Sequence, residues 1–178
     1  LRIRGEALFN LVSIEYAQGD RSIKRDRSGD SLNLTPDQRN LLMRDADLEY
    51  LSLETTFPIT KGVLVTPGVY HYAEDAVGDA NDFDLLGAEL SLVYRNGAHM
   101  LAGVVGYEML DFSSINPVFN VERDESSMTY FGLYQYTNPF GFEDTKLMFL
   151  LSNRRQESNV AFYEKESLVV GGGIVFSF

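Results

Sequence analysis

The sequence predicts an all-β chain folded as a transmembrane antiparallel up-and-down β-barrel of about eight strands, or as the C-terminal part of a larger one. Three observations carry this expectation. Segments alternate between apolar and polar residues over lengths that cross a bilayer, the connections alternate between short and long, and the last strand closes on aromatic residues. With 178 residues, the chain suits a single domain, residues 1–178, or a barrel wall of that many strands.

The expected strands are Arg4–Ala17, Ala46–Phe57, Gly62–Tyr72, Phe83–Arg95, Ala98–Leu110, Ser127–Thr137, Asp144–Ser152 and Ala161–Phe178. A tilted crossing needs about 9–11 residues, which these lengths supply. Period 2 is clearest in four of them. The second places Leu51, Leu53, Thr55 and Phe57 opposite Tyr50, Ser52 and Glu54. The fourth places Leu86, Ala88, Leu90, Leu92 and Tyr94 opposite Gly87, Glu89, Ser91 and Arg95. In the seventh, Leu147, Phe149 and Leu151 oppose Lys146, Ser152 and Arg154. In the eighth, Leu168, Val170, Ile174, Phe176 and Phe178 oppose Lys165, Ser167, Gly171, Gly173 and Ser177. The first, third and sixth carry apolar residues on both faces, so periodicity does not orient them.

The connections Pro58–Gly62, Asn96–Gly97 and Asn138–Glu143 are short and rich in turn formers. Between them fall long loops at 18–45, 73–82, 111–126 and 153–160. Short turns on one side and long loops on the other are the asymmetry of bacterial barrels, with the long loops extracellular when the C-terminus is periplasmic. Aromatic residues gather near strand ends, among them Tyr16, Phe57, Tyr70, Tyr72, Tyr94, Tyr107, Tyr136 and Phe176, as in an interfacial girdle.

Composition removes other classes. A net charge of −11 argues against nucleic acid, whose phosphates need clustered Lys and Arg. Cysteine is absent, so there are no disulfides, thiolate metal sites or Cys nucleophiles. The longest charge-free apolar stretch, Met100–Tyr107, is far short of the roughly 20 residues of a membrane helix. Only a closed barrel satisfies its own backbone in hydrocarbon without helices. No signal peptide is visible at Leu1, as expected of a processed or partial chain.

Period 2 turns Glu54, Glu89, Glu108, Lys146, Arg154 and Lys165 toward the lumen, where mixed charges either interlock or line a pore. The ending Gly173-Ile-Val-Phe176-Ser-Phe178 has the form of the signal that outer-membrane assembly machinery reads on a last strand, through strand pairing and side-chain pockets. Thr35-Pro36-Asp37-Gln38 is a capping box with Pro at the first helical position, predicting a short helix that stiffens the first long loop. The acidic run Glu74, Asp75, Asp79, Asp82 and Asp84 lacks the spacing of an EF-hand and is expected to be solvated. His71 near Asp82 and Asp84 faintly resembles an omptin protease rim, but the wider pattern of those enzymes is missing. No phosphate loop, His-based metal motif or nucleophile elbow is present, and neither catalysis nor a cofactor is expected.

Four strings resemble a known family: Leu34-Thr-Pro-Asp-Gln-Arg-Asn-Leu-Leu42, Ile115-Asn-Pro-Val-Phe119, Tyr136-Thr-Asn-Pro-Phe140 and Val160-Ala-Phe-Tyr-Glu164. Together they are similar to an uncharacterised outer-membrane barrel family of marine gammaproteobacteria, a domain of unknown function. The resemblance covers essentially the whole chain and implies a C-terminal part of a barrel of about twelve strands. It transfers no catalytic or binding residue. The expected surroundings are the bacterial outer membrane, with lipid bilayer, lipopolysaccharide and the assembly machinery as partners. Two function classes stay open: a pore for small solutes, and a non-conducting structural or surface protein that engages an unidentified protein partner through its loops.

Overall fold

The structure, a computed structural model, describes residues 2–7, 11–24, 26, 30 and 32–176. Its strands are β1 (Arg2–Ala7), β2 (Val12–Arg21), β3 (Ala46–Thr55), β4 (Phe57–Thr60), β5 (Val63–Ala76), β6 (Phe83–Asn96), β7 (His99–Asn116), β8 (Val121–Thr137), β9 (Thr145–Ser158) and β10 (Lys165–Phe176). All lie in one antiparallel sheet, and each pairs with the next along the chain except β3, which pairs with β5 as β4 does. β4 continues β3 along β5: Glu54 faces Gly68, and Phe57 then faces Val65. The break at Thr56 falls beside Pro67, which has no amide to donate to the ladder. The path therefore runs through nine strands, up and down.

Four expectations are corrected. Arg4–Ala17 is not one strand, because β1 folds back on β2 with Arg2 opposite Ala17 and Ala7 opposite Val12. Apolar residues on both faces had hidden the reversal. Loop 111–126 is mostly strand: β7 and β8 stay paired at Asp111–Asp124 and again at Asn116–Val121, across an irregularity. Loops 73–82 and 153–160 likewise give way to longer strands, since β5 runs to Ala76 and β9 to Ser158. The strict short-long alternation is lost with them, because residues 117–120 make a shorter connection than residues 138–144. Hydrophobic alternation stops where the apolar band stops, whereas the backbone ladder continues into polar residues.

The turns follow local chemistry. In the β6–β7 hairpin the two linking residues are Gly97 and Ala98, one position later than expected, with Gly97 at φ 55°. A glycine takes positive φ at the first turn position without steric cost. Gly62 also has positive φ (85°), and any side chain there would overlap the Arg95 carbonyl.

The expected helix forms at α1 (Pro36–Asn40). Thr35 Oγ1 accepts from the Gln38 amide at 3.3 Å, and Gln38 Oε1 accepts from the Thr35 amide at 3.0 Å. α1 itself buries no side chain. The segment after it is stapled to residues 77–82: Asn81 Nδ2 donates to the Leu42 carbonyl at 2.8 Å, and the Ala80 amide donates to the Leu41 carbonyl at 3.1 Å. Gly78 permits this contact, since a Cβ there would lie 2.7 Å from the Asn40 carbonyl oxygen. The buried apolar residues Leu42, Ala46, Ala76, Ala80, Phe112 and Val160 gather at this loop end of the sheet. Among the described residues no large side chain is fully buried, so the sheet has no conventional core.

Candidate functional site

Residues opposite one another on neighbouring strands share a face, so the register fixes which side chains lie together. One row on the less exposed face runs Glu54, Gly68, Glu89, Gly106, Thr129 and Arg154. The next runs Ser52, Tyr70, Gly87, Glu108, Ser127, Gln156 and Lys165. All six expected lumenal residues therefore lie on this polar face, with Lys146 opposite Thr137 nearer the turn side.

The structure joins only some of them. Glu108 is a hub: Tyr70 donates to its Oε1 at 2.7 Å, and Ser127 (2.6 Å) and Arg154 Nη2 (2.7 Å) donate to its Oε2. Arg154 also donates to Ser127 Oγ at 3.1 Å. Hydrogen bonds to an ionised carboxylate are about twice as strong as neutral ones, so the hub ties β5, β7, β8 and β9 together. Tyr70 reaches Glu108 because β6 presents Gly87 between them, where any Cβ would strike the Tyr70 ring. Gly68 plays the same part between two carboxylates, its Cβ position lying 3.1 Å from Glu54 Cγ and 3.5 Å from Glu89 Cγ. Lys146 and Lys165 do not join the hub.

A second polar layer lies nearer the loop end. Arg21 forms a forked ion pair with Glu74, which also accepts from the Tyr72 hydroxyl at 3.2 Å. The Arg123 guanidinium lies between the rings of Phe112 (3.5 Å) and Tyr163 (4.0 Å) and 3.1 Å from Glu125. Gln156 Nε2 donates to Glu125 Oε2 at 2.7 Å and to the Tyr163 carbonyl at 3.2 Å. Stacking on two rings suits a weakly hydrated guanidinium.

Tyr70, Tyr72, Ser127, Gln156, Arg123 and Glu125 were not legible as members of this face. Tyr70 and Tyr72 were expected in the girdle; the register turns both inward, where Tyr72 packs on Phe83 at 5.7 Å between ring centroids. The glycines were the available signal, since a small residue beside a long polar one on the next strand lets side chains lie sideways.

The opposite face is apolar and exposed. β6 presents Leu86, Ala88, Leu90, Leu92 and Tyr94 there, and β7 presents Leu101, Val105, Tyr107 and Met109. β8 adds Met128, Tyr130, Tyr134 and Tyr136; β10 adds Leu168, Val170, Ile174 and Phe176. Toward the loop end the same face turns polar, at Asp84, Asp111, Asp124, Arg155 and Glu166. His71 Nε2 and Asp84 Oδ1, 3.0 Å apart, stand on this outer face at the change from apolar to polar. Of the expected assembly signal, Gly173 lies on the polar face opposite Met148, Phe176 lies on the apolar face opposite Thr145, and Phe178 lies outside the described residues.

Among the described residues no three His, Asp or Glu side chains are grouped to hold a metal ion. In the acidic loop, Glu74 is committed to Arg21. Burial, followed by the charge of Asp75, pushes the Asp82 carboxyl above the usual range; Asp84 and Asp79 act in the same direction.

A family model described as Protein of unknown function (DUF2860) matches residues 3–177. No curated protein and no solved structure matches the chain. The chain belongs to that family.

Proposed function

We propose that this family member forms the wall of an outer-membrane β-barrel whose polar face lines a pore for small hydrophilic solutes. One observation carries the reading: the more exposed face is apolar, and the charged side chains Glu54, Glu89, Glu108 and Arg154 lie on the less exposed face, the inverse of a water-soluble sheet. Apolar residues such as Val104, Phe131 and Leu150 share that less exposed face toward the turn side. Leu90 is 51 % exposed at the centre of its strand, with Leu86, Val105 and Tyr130 exposed around it. Monomeric soluble proteins rarely expose contiguous apolar surface on this scale, and a bilayer requires it.

The dimensions agree. Leu86 to Tyr94 spans about 27 Å at a rise of about 3.4 Å per residue. Tilted by about 40°, that covers about 21 Å of the membrane normal, near the height of an outer-membrane apolar band. The polar boundary also drifts across the hydrogen-bonded rows. Leu86 on β6 faces Met109, the residue of the outer face of β7 that precedes Asp111 there, but Met109 faces the polar Ser126. Met128, where the β8 band begins, faces Arg155. A flat membrane surface crossing tilted strands produces this stagger.

Conduction is favoured by how the polar face is built. Among the described residues its hydrogen bonds link strands one or two places apart, as in Tyr70–Glu108 and Arg154–Glu108. Side chains tied sideways along a wall leave space in front of it. Nine meandering strands leave β1 and β10 parallel to each other, and no pairing joins them among the described residues. A wholly antiparallel closure draws an odd number of further strands, from elsewhere in the protein or from a second copy, and so a wider barrel.

Planar-bilayer recording tests the function. A pore gives discrete conductance steps, with Glu89→Gln lowering and Lys146→Gln raising cation preference. A preparation that inserts but never conducts would favour the non-conducting class.

A further inference from the structure

We infer that the β8–β9 turn and the base of β10 form a lateral niche for a phospholipid acyl chain of the turn-side leaflet. The inference rests on the membrane reading above. A cavity of about 310 Å³ lies there, lined by Pro139, Phe140 and Phe142 from the turn, by Thr145 at the start of β9, and by the apolar Leu147, Ile174 and Phe176 from the sheet. Leu147, Ile174 and Phe176 are the last of the apolar face on β9 and β10, so the niche continues that face.

The turn is built to hold its aromatics outward. Asn138, Phe140 and Asp144 all have left-handed φ (52°, 56° and 55°), and Gly141 has φ 84°. Asn and Asp enter that region readily; for a bulky residue such as Phe it is a genuine outlier. Hydrogen bonds fix the shape, from the Asn138 amide to the Thr145 carbonyl (2.8 Å) and from the Phe142 amide to the Pro139 carbonyl (3.1 Å). The result leaves Phe140 84 % and Phe142 66 % exposed. Phe140 meets the Tyr136 ring edge-on at 6.2 Å between centroids, yet in water the strained turn leaves most of both phenylalanine rings exposed. At the boundary between headgroups and acyl chains the same display buries both rings, while Asn138, Glu143 and Asp144 stay at headgroup level. The one side-chain hydroxyl of the lining, Thr145, is buried and donates to the Glu143 carbonyl at 3.1 Å. The niche therefore presents no free polar side chain to a peptide backbone, which selects a hydrocarbon chain over a protein segment.

The chain contains no tryptophan, so a single introduced indole reports alone. The full chain carrying Phe140→Trp, or separately Phe142→Trp, is reconstituted into phosphatidylcholine vesicles brominated at acyl carbons 6,7 or 11,12. Leu90→Trp marks the centre of the apolar face. The niche requires blue-shifted emission from both turn variants and at least twofold quenching, stronger from the 6,7 positions. It also requires Leu90→Trp to be quenched more by the 11,12 positions. If Leu90→Trp is quenched and both turn variants emit as in water, the niche is overturned and the membrane reading stands. If Leu90→Trp is not quenched either, the membrane reading itself falls.

Discussion

Tyr70 on β5 donates to Glu108 on β7 at 2.7 Å across an intervening strand that contributes only Gly87 between them. The bond skips a strand, which a side chain at position 87 would forbid. It marks the polar face as a surface on which side chains lie flat, held by neighbours in the wall.

Gly87→Ala should therefore break this bond. A Cβ at 87 overlaps the Tyr70 ring, and overpacking of this kind costs about 1–3 kcal/mol. Urea unfolding in lipid should show the loss in Gly87→Ala and much of it recovered in Gly87→Ala/Tyr70→Ala. A double variant as unstable as the sum of its parts would uncouple the two positions.

The two faces of β6 should respond oppositely to charge. Leu90→Arg places a cation on the apolar face near its centre and should cost about 2–4 kcal/mol, seen as lost heat-modifiable species on a gel. Glu89→Gln, one residue away on the polar face, should fold normally. Normal folding of Leu90→Arg would reverse the assignment of the faces.

Orientation is tested by labelling intact cells with an impermeant maleimide. Val118→Cys, in the β7–β8 connection, should react, and Ala98→Cys, in the β6–β7 turn, should not. Both positions avoid the left-handed Asn120 and Gly97, so the substitutions leave backbone geometry unchanged. Reaction at Ala98→Cys alone would invert the topology.

Asp82 gives the loop end a pH dependence of known sign. Its folded carboxyl is raised above the ordinary range by burial, then by Asp75. The folded state therefore binds this proton more readily than the unfolded state. The unfavourable contribution of the ionised form is present above the raised value and disappears as pH falls through it toward the ordinary carboxylate range. Asp82→Asn should raise hydrogen-exchange protection of the Ala80 amide at neutral pH and flatten its pH dependence across that window. The Ala80 amide reports because it is bonded to the Leu41 carbonyl. An unchanged pH profile in the variant would assign the dependence elsewhere.

Much of the fold was legible because a two-residue period needs no tertiary knowledge. Leu86 to Tyr94 against Glu89 and Ser91 places β6 and its faces directly, as Leu147 to Leu151 does for β9. The six charged residues expected to be lumenal share one face of the sheet by register. Strands with apolar residues on both faces carry no period that orients them, which is why the inward turn of Tyr70 and Tyr72 and the β1–β2 reversal are not legible in the sequence.

By itself the sequence determined the all-β class, the sidedness of the clear strands, the capping box of α1 and the glycine turns, since each rests on neighbours within a few residues. The tertiary structure alone decided where β7 and β8 end, because the backbone ladder outlasts the apolar pattern through Asp111 and Asp124. It alone decided that Glu108 gathers Tyr70, Ser127 and Arg154, residues 19 to 46 positions away in the chain. Strand register fixes such partners, and register is a property of pairs of strands that no single segment encodes.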